Sequence, residues 1–345
     1  MTSTTGGIVN MGATCYANAV IQAFANCEKV VWLLQEGRYS TLFRASPKKT
    51  RELQQCVTSS FAEVLRMLHA CKEGQSVRPI QFWNTLGQAV EDTCYSHLAT
   101  RQPHDSHEFF MFLLDTLHES LAQEVDMRIT RPPATTEEDY LVILSLESWQ
   151  KEFSKHYSPL IDMFFGLAHV TIVCQGCGHH SHRWESFTTL KGVVSGNEPL
   201  SLQQMLEEEM KPETISEYVC DSCAPVRKDA KRTVRIWRLP HTLVVVLKRF
   251  SYTGQKINTP MTPLVNRSFN FAPFFSSFSP EKTGQTNYSL HSIVDHHGSS
   301  TGGHYTAQIF NSDKWQLHDD EAVYPISNGP KFGSSTYILF FQRAT

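Results

Sequence analysis

The chain has 345 residues, 41% of them hydrophobic and 19% charged, with a formal net charge of -3. Those values fit a globular protein and exclude a disordered tail and the global basic field that binds nucleic acid without sequence preference. No apolar run approaches the ~20 residues needed to cross a bilayer, and the N-terminal Met1-Thr-Ser-Thr-Thr-Gly-Gly lacks the basic and apolar regions of a secretory signal. The expectation is an intracellular protein that binds neither membrane nor nucleic acid.

Residues 6–18, Gly-Gly-Ile-Val-Asn-Met-Gly-Ala-Thr-Cys-Tyr-Ala-Asn, combine turn-permitting small residues with the start of a helical apolar face at Cys15, Ala19, Ala23, Phe24 and Cys27. A cysteine at a helix N-terminus feels unpaired N–H groups and the positive end of the dipole, and both favour the reactive thiolate. Asn10 is placed to offer an amide N–H to an oxyanion. Further on, Asp105-Ser-His-Glu108 reads as a helix cap ahead of the apolar face at Phe110, Leu113, Leu114, Leu117 and Leu121. Residues 128–139 have no period and two prolines, and are expected to be a loop.

In the second half the pattern changes. Thr242-Leu-Val-Val-Val-Leu247 reads as a buried strand, and Tyr288–Val294, His304–Phe310 and Thr336–Phe341 as further strands between Gly, Ser and Asp clusters. A helical first half and a β-rich second half predict an α+β protein. The Gly/Ser loop of residues 297–303 is expected to feed His304 onto a strand. Trp315-Gln-Leu-His-Asp-Asp-Glu then presents Asp319 and Asp320, either of which can orient and stabilise the imidazole. His291, His296 and His297 read as ordinary polar residues near that site.

Nine cysteines include two C-x-x-C pairs, Cys174/Cys177 and Cys220/Cys223. Four thiolates suit one tetrahedral, structural Zn²⁺; the redox and zinc-ribbon alternatives explain less. His179, His180 and His182 crowd the first pair as substitute ligands that are not needed. Cys27, Cys56, Cys71 and Cys94 are expected to be core or half-buried thiols.

Together these stretches resemble the ubiquitin-specific protease family. The cysteine box is Gly-Ile-Val-Asn-Met-Gly-Ala-Thr-Cys-Tyr-Ala-Asn at 7–18, and the histidine box is Gly-Gly-His-Tyr-Thr-Ala at 302–307, followed by 315–320. Leu247-Lys-Arg-Phe250 and Gln102-Pro-His-Asp-Ser-His-Glu-Phe109 match two further marks, with Pro103-His104 where the family has Gln-Gln and His318 where an aromatic is usual. The resemblance implies one catalytic domain over residues 7–343: a helical thumb to about 165, then palm and zinc-stapled β fingers, the fingers spanning about 166–240. It implies Cys15 as nucleophile, His304 as base, Asp319 as third member with Asp320 assisting, Asn10 as oxyanion donor, and Asp105 and Glu108 against ubiquitin. The implied activity is thiol-dependent hydrolysis after the C-terminal Gly of ubiquitin by a monomeric domain. A ubiquitin-binding pseudoenzyme and a protease for a ubiquitin-like modifier are the alternatives.

Overall fold

The computed structural model describes residues 6–45, 48–100, 102–130, 133–299 and 302–344. The N-terminal half holds seven helices among the described residues: α1 (Cys15–Ala25), α2 (Glu28–Leu34), α3 (Lys49–Ala70), α4 (Ile80–Val90), α5 (Ser106–Leu121), α6 (Glu137–Phe153) and α7 (Pro159–Phe164). Two short strands, β1 (Gly7–Ile8) and β2 (Ser76–Val77), pair in parallel and tie the N-terminal segment to the end of α3. Every residue of α1 is buried. It has no solvent face because helices cover one side of it and a sheet the other.

Two sheets follow. The fingers are four strands in the order β4 (His180–Phe187), β3 (Gly166–Cys174), β7 (Lys228–Arg238), β6 (Glu213–Tyr218). The palm is eight-stranded, built from β5 (Thr189–Val193), β8 (Thr242–Lys248), β9 (Ser268–Asn270), β10 (Asn287–Ser299), β11 (Gly302–Asn311), β12 (Lys314–Asp319), β13 (Ala322–Ile326) and β14 (Thr336–Arg343). Its main path runs β13-β12-β11-β10-β14-β8-β5, with β9 on β10. A last helix, α8 (Leu202–Glu209), covers β5.

The apolar run of β8 is continuous because both palm faces are buried. Val244 and Val246 face the helices with Ile338 and Phe340, while Leu243, Val245 and Leu247 face α8 and Phe271. Phe110 of α5 meets Phe340 of β14 edge-to-face at 5.6 Å and stacks on Phe24 of α1 at 5.6 Å. Such contacts dock the thumb onto the palm. The fold is the thumb, palm and fingers arrangement expected from the sequence.

Three local expectations change. Residues 137–139 begin α6 instead of ending a loop, because Thr136 and Asp139 form a reciprocal capping box. The stretch before His304 is mostly strand: β10 reaches Ser299 and β11 starts at Gly302, with residues 300 and 301 outside the described set. Cys56 and Cys94 are exposed rather than half-buried, while Cys27 is buried.

Candidate active site and cysteine cluster

Cys15 is the first residue of α1, after a loop in which Gly12 and Ala13 take left-handed φ values of 104 and 48. Gly7 lets this segment approach the palm: a Cβ there would meet the Glu321 backbone oxygen at 2.2 Å. The contact is sealed by Ile8 N donating to Asp320 O at 2.8 Å.

Opposite lie adjacent palm strands. His304 on β11 faces β12, and its Nε2 is 2.5 Å from Asp319 Oδ1. That leaves Nδ1 as the ring nitrogen free of the acid. Gly303 permits this strand path, since a Cβ there would strike His297 O at 2.3 Å and His296 Nε2 at 2.4 Å. The backbone N–H groups of Tyr305, Tyr16 and Cys15 itself are directed at the Cys15 sulfur.

The two acids differ in their hydrogen-bond partners. Asp320, with φ at 50, keeps a carboxylate oxygen within 4.8 Å of the His304 ring and the Asp319 carboxylate, but its hydrogen bonds go elsewhere. Its Oδ2 receives Asn10 Nδ2 at 2.8 Å and its Oδ1 receives Asn18 Nδ2 at 2.7 Å. Asn10 Oδ1 in turn accepts from Gly12 N at 3.0 Å and Thr14 N at 3.1 Å. Asn10 is therefore first a brace of the cysteine loop, with one amide hydrogen left over.

Burial works against the expected thiolate. Burial pushes the Cys15 thiol above its ordinary value, with the Asp320 charge adding to the effect, and this outweighs the N–H groups that pull the other way. The helix terminus is present, but desolvation wins.

At the thumb wall, Asp105 Oδ1 caps α5 by accepting from His107 N at 2.6 Å and Glu108 N at 3.2 Å. Its Oδ2 accepts from Tyr337 OH at 2.7 Å. The reciprocal half of the expected capping box is not made: Glu108 instead faces His97 Nε2 at 3.1 Å. Arg249 of the Leu-Lys-Arg-Phe motif is fully buried and donates to the carbonyls of Ile257, Thr259, Gly333 and Thr336, which pins the loops beside the cleft. Asn18, Tyr337 and Arg249 were not singled out from the sequence as site residues. Asn18 had one signal, a buried-helix position one turn beyond Cys15 occupied by a polar residue.

At the fingertips the four cysteines of the two pairs converge. Their sulfurs all lie within 4.8 Å of one another, with Cys174–Cys223 at 3.8 Å and Cys177–Cys220 at 3.6 Å. Metal–sulfur bonds of about 2.3 Å in a tetrahedron put sulfurs roughly 3.8 Å apart, so the spacing fits a four-thiolate ion. The N–H groups of Cys177 and Gly176 draw the Cys174 thiol down to about 7. His182 is not grouped with the four cysteines, and its Nδ1 pairs with His169 Nε2 at 2.9 Å. No helix among the described residues is long and apolar enough to cross a membrane.

Comparison with known proteins identifies the family and the fold. The yeast Saccharomyces cerevisiae ubiquitin carboxyl-terminal hydrolase 5 is 26% identical over 368 residues, covering 98% of this chain and 44% of the relative. The human ubiquitin carboxyl-terminal hydrolase 21 is 27% identical over 369 residues, covering 97% of this chain and 61% of the relative. The chain thus spans about half the length of the curated relatives it matches. The SAGA module Ubp8/Sgf11/Sus1/Sgf73 bound to ubiquitin aldehyde superposes with a TM-score of 0.71 at 22% identity, covering 100% of this chain and 71% of that one, and so shares the fold. The sequence model described as "Ubiquitin carboxyl-terminal hydrolase" matches residues 6–341, and the chain belongs to that family.

Proposed function

We propose that this chain is a cysteine deubiquitinase that hydrolyses the isopeptide or peptide bond after the C-terminal Gly of ubiquitin. The observation that carries the reading is the meeting of Cys15 with the His304 strand: the N–H of Tyr305, next to His304, reaches the sulfur while Asp319 holds the far side of the imidazole.

Burial favours the neutral Cys15 thiol, so attack needs a base to take its proton. The basic tail of ubiquitin threads between the Asp105–Glu108 wall and the palm, and the glycine terminus passes where larger residues do not. His304 Nδ1 takes the thiol proton, and the sulfur attacks the carbonyl carbon. The backbone N–H of Cys15 and the second hydrogen of the Asn10 amide donate to the oxyanion. The C–N bond breaks as His304 returns the proton to the leaving amine, giving a thioester. Water, deprotonated by His304, then releases ubiquitin and restores Cys15. Asp319 orients the ring and stabilises its charged form.

The cysteine cluster takes no part in this chemistry. We assign it to structural Zn²⁺ held by Cys174, Cys177, Cys220 and Cys223, which would staple the fingertips that hold the body of ubiquitin. Residues 7–343 act as one catalytic unit, because the nucleophile and its base come from opposite ends. None of the nine cysteines is in a disulfide, which fits the reducing, intracellular setting that a four-thiolate site suits.

Ubiquitin carrying a C-terminal electrophile tests the reading. It should form a covalent adduct mapped by mass spectrometry to Cys15, and the Cys15→Ser protein should bind but not react. Adduct at another cysteine, or none, would reject the assignment, and adduct only with a ubiquitin-like protein would change the modifier.

A further inference from the structure

The thumb wall carries two carboxylates, and they are not equally available. Both oxygens of Asp105 are committed, Oδ1 to the first N–H groups of α5 and Oδ2 to the Tyr337 hydroxyl. Glu108, one turn on, is half-exposed, and its one charged partner among the described residues is His97 at 3.1 Å.

His97 lies on a short helical turn, Ser96–Ala99, beside the start of α5. Its two ring nitrogens face acceptors only. Nδ1 is 3.1 Å from the Cys94 carbonyl oxygen, and Nε2 faces the Glu108 carboxylate. A carbonyl oxygen pairs only with an N–H, so Nδ1 carries a proton. A neutral ring would then turn the Nε2 lone pair toward a carboxylate, whereas the imidazolium offers it an N–H. The arrangement suits a charged His97, and a charged His97 neutralises Glu108.

The other titratable groups that meet this pair are Cys94 and Tyr95 beside the turn, His104 and His107 at α5, and Tyr16 of α1. Burial pushes His104 down from the ordinary histidine value, and the charge of His97 adds to the effect. Burial also pushes His107 down, with Lys191 adding to it and Asp105 opposing. His104 packs edge-on against both His97 and Tyr16, at 5.2 and 5.3 Å. Tyr16 follows Cys15 in the chain, so the His97–Glu108 pair stands on the catalytic side of the thumb.

We propose that His97 is a specificity-determining residue that holds Glu108 until an arginine of the ubiquitin tail displaces it, a role that rests on the deubiquitinase function proposed above. Arginine stays charged and can take both carboxylate oxygens, whereas a histidine meets one and loses its charge as pH rises. Displacement is easier from a neutral ring. Acid therefore weakens binding of the tail through His97, and raising the pH restores it. Both side chains are half-exposed, so solvent screening limits the effect to about two- to fivefold.

Calorimetric titration of ubiquitin into the full chain carrying Cys15→Ser, at about pH 6 and about pH 8, tests the proposal. Binding is expected to tighten about two- to fivefold at the higher pH, and His97→Gln should give the tighter value at both. His97→Arg, a permanent cation, should keep the weaker value at both. Ubiquitin with its tail arginines changed to Gln should bind all three proteins alike. Weaker binding by His97→Gln, a pH response in it equal to that of native His97, or differences that survive without the tail arginines would overturn the proposal. Release of a C-terminal fluorophore from ubiquitin by the wild-type chain keeps the two questions apart. Turnover with an unaltered pH response in His97→Gln rejects the role of His97 alone. Neither turnover nor binding rejects the deubiquitinase function and the role of His97 with it.

Discussion

Asn18 donates its Nδ2 to Asp320 Oδ1 at 2.7 Å, joining positions 302 apart in the chain. With Asn10 on the other oxygen, the Asp320 carboxylate clamps both ends of the segment that carries Cys15. Asn18→Ala leaves a half-buried carboxylate oxygen without its partner. It should lower stability by about 1–3 kcal/mol in urea unfolding. Alkylation of Cys15 by a small electrophile should change with it, because the loop loses its reference point on the palm.

Asp319 and Asp320 should fail differently. Asp319→Asn removes the charge that orients His304 and should reduce kcat by about 10²-fold or more while leaving the melting temperature nearly unchanged. Asp320→Ala should lower both, since it releases Asn10 and Asn18 and places alanine at a left-handed φ. Steady-state kinetics paired with thermal unfolding separates the two patterns. Equal effects on both readouts would contradict the division of labour.

Cys220→Ser should remove the metal without touching the chemistry. The native chain is expected to carry one Zn²⁺ by elemental analysis, and the variant substantially less, with a lower melting temperature and a raised KM. A small substrate that bypasses the fingers should be turned over at a near-normal rate. Full metal content in the variant would argue against a four-cysteine site.

Acid should destabilise the protein through buried neutral histidines. Burial pushes His318 down to about 4 and His291 to about 3, against an ordinary value near 6.5. A depressed folded value means that only the unfolded chain binds the proton between those limits. Stability is therefore complete above pH ~6.5 and falls toward pH 4, by up to about 1.4 kcal/mol per pH unit for each histidine. Urea unfolding from pH 7 to 4.5 measures the slope, and His318→Phe should flatten it. An unchanged slope would show that His318 is not among the groups responsible.

The sequence carried the frame of this molecule and part of its site. The period of Phe110 to Leu121 and the continuous β8 run were legible because each is a local consequence of burial. The two C-x-x-C pairs were legible because metal-ligand spacing is local too. What escaped was settled by contacts between distant segments. Asn18 looked like one polar residue in an apolar helix until the β12–β13 turn met it. The Cys15 thiol seemed favoured as thiolate from its helix position, while its burial depended on the whole thumb–palm closure. His291, read as a polar residue near the catalytic histidine, is buried at the opposite end of α1, because a strand of 13 residues extends far from the site at its tip.

The most direct test of the central claim is release of a fluorophore from the C-terminus of ubiquitin, with wild type and Cys15→Ser measured together. The account predicts release by the wild type and none by Cys15→Ser, with ubiquitin affinity retained in the variant. Turnover by Cys15→Ser close to that of the wild type would contradict it, because the nucleophile would then lie elsewhere.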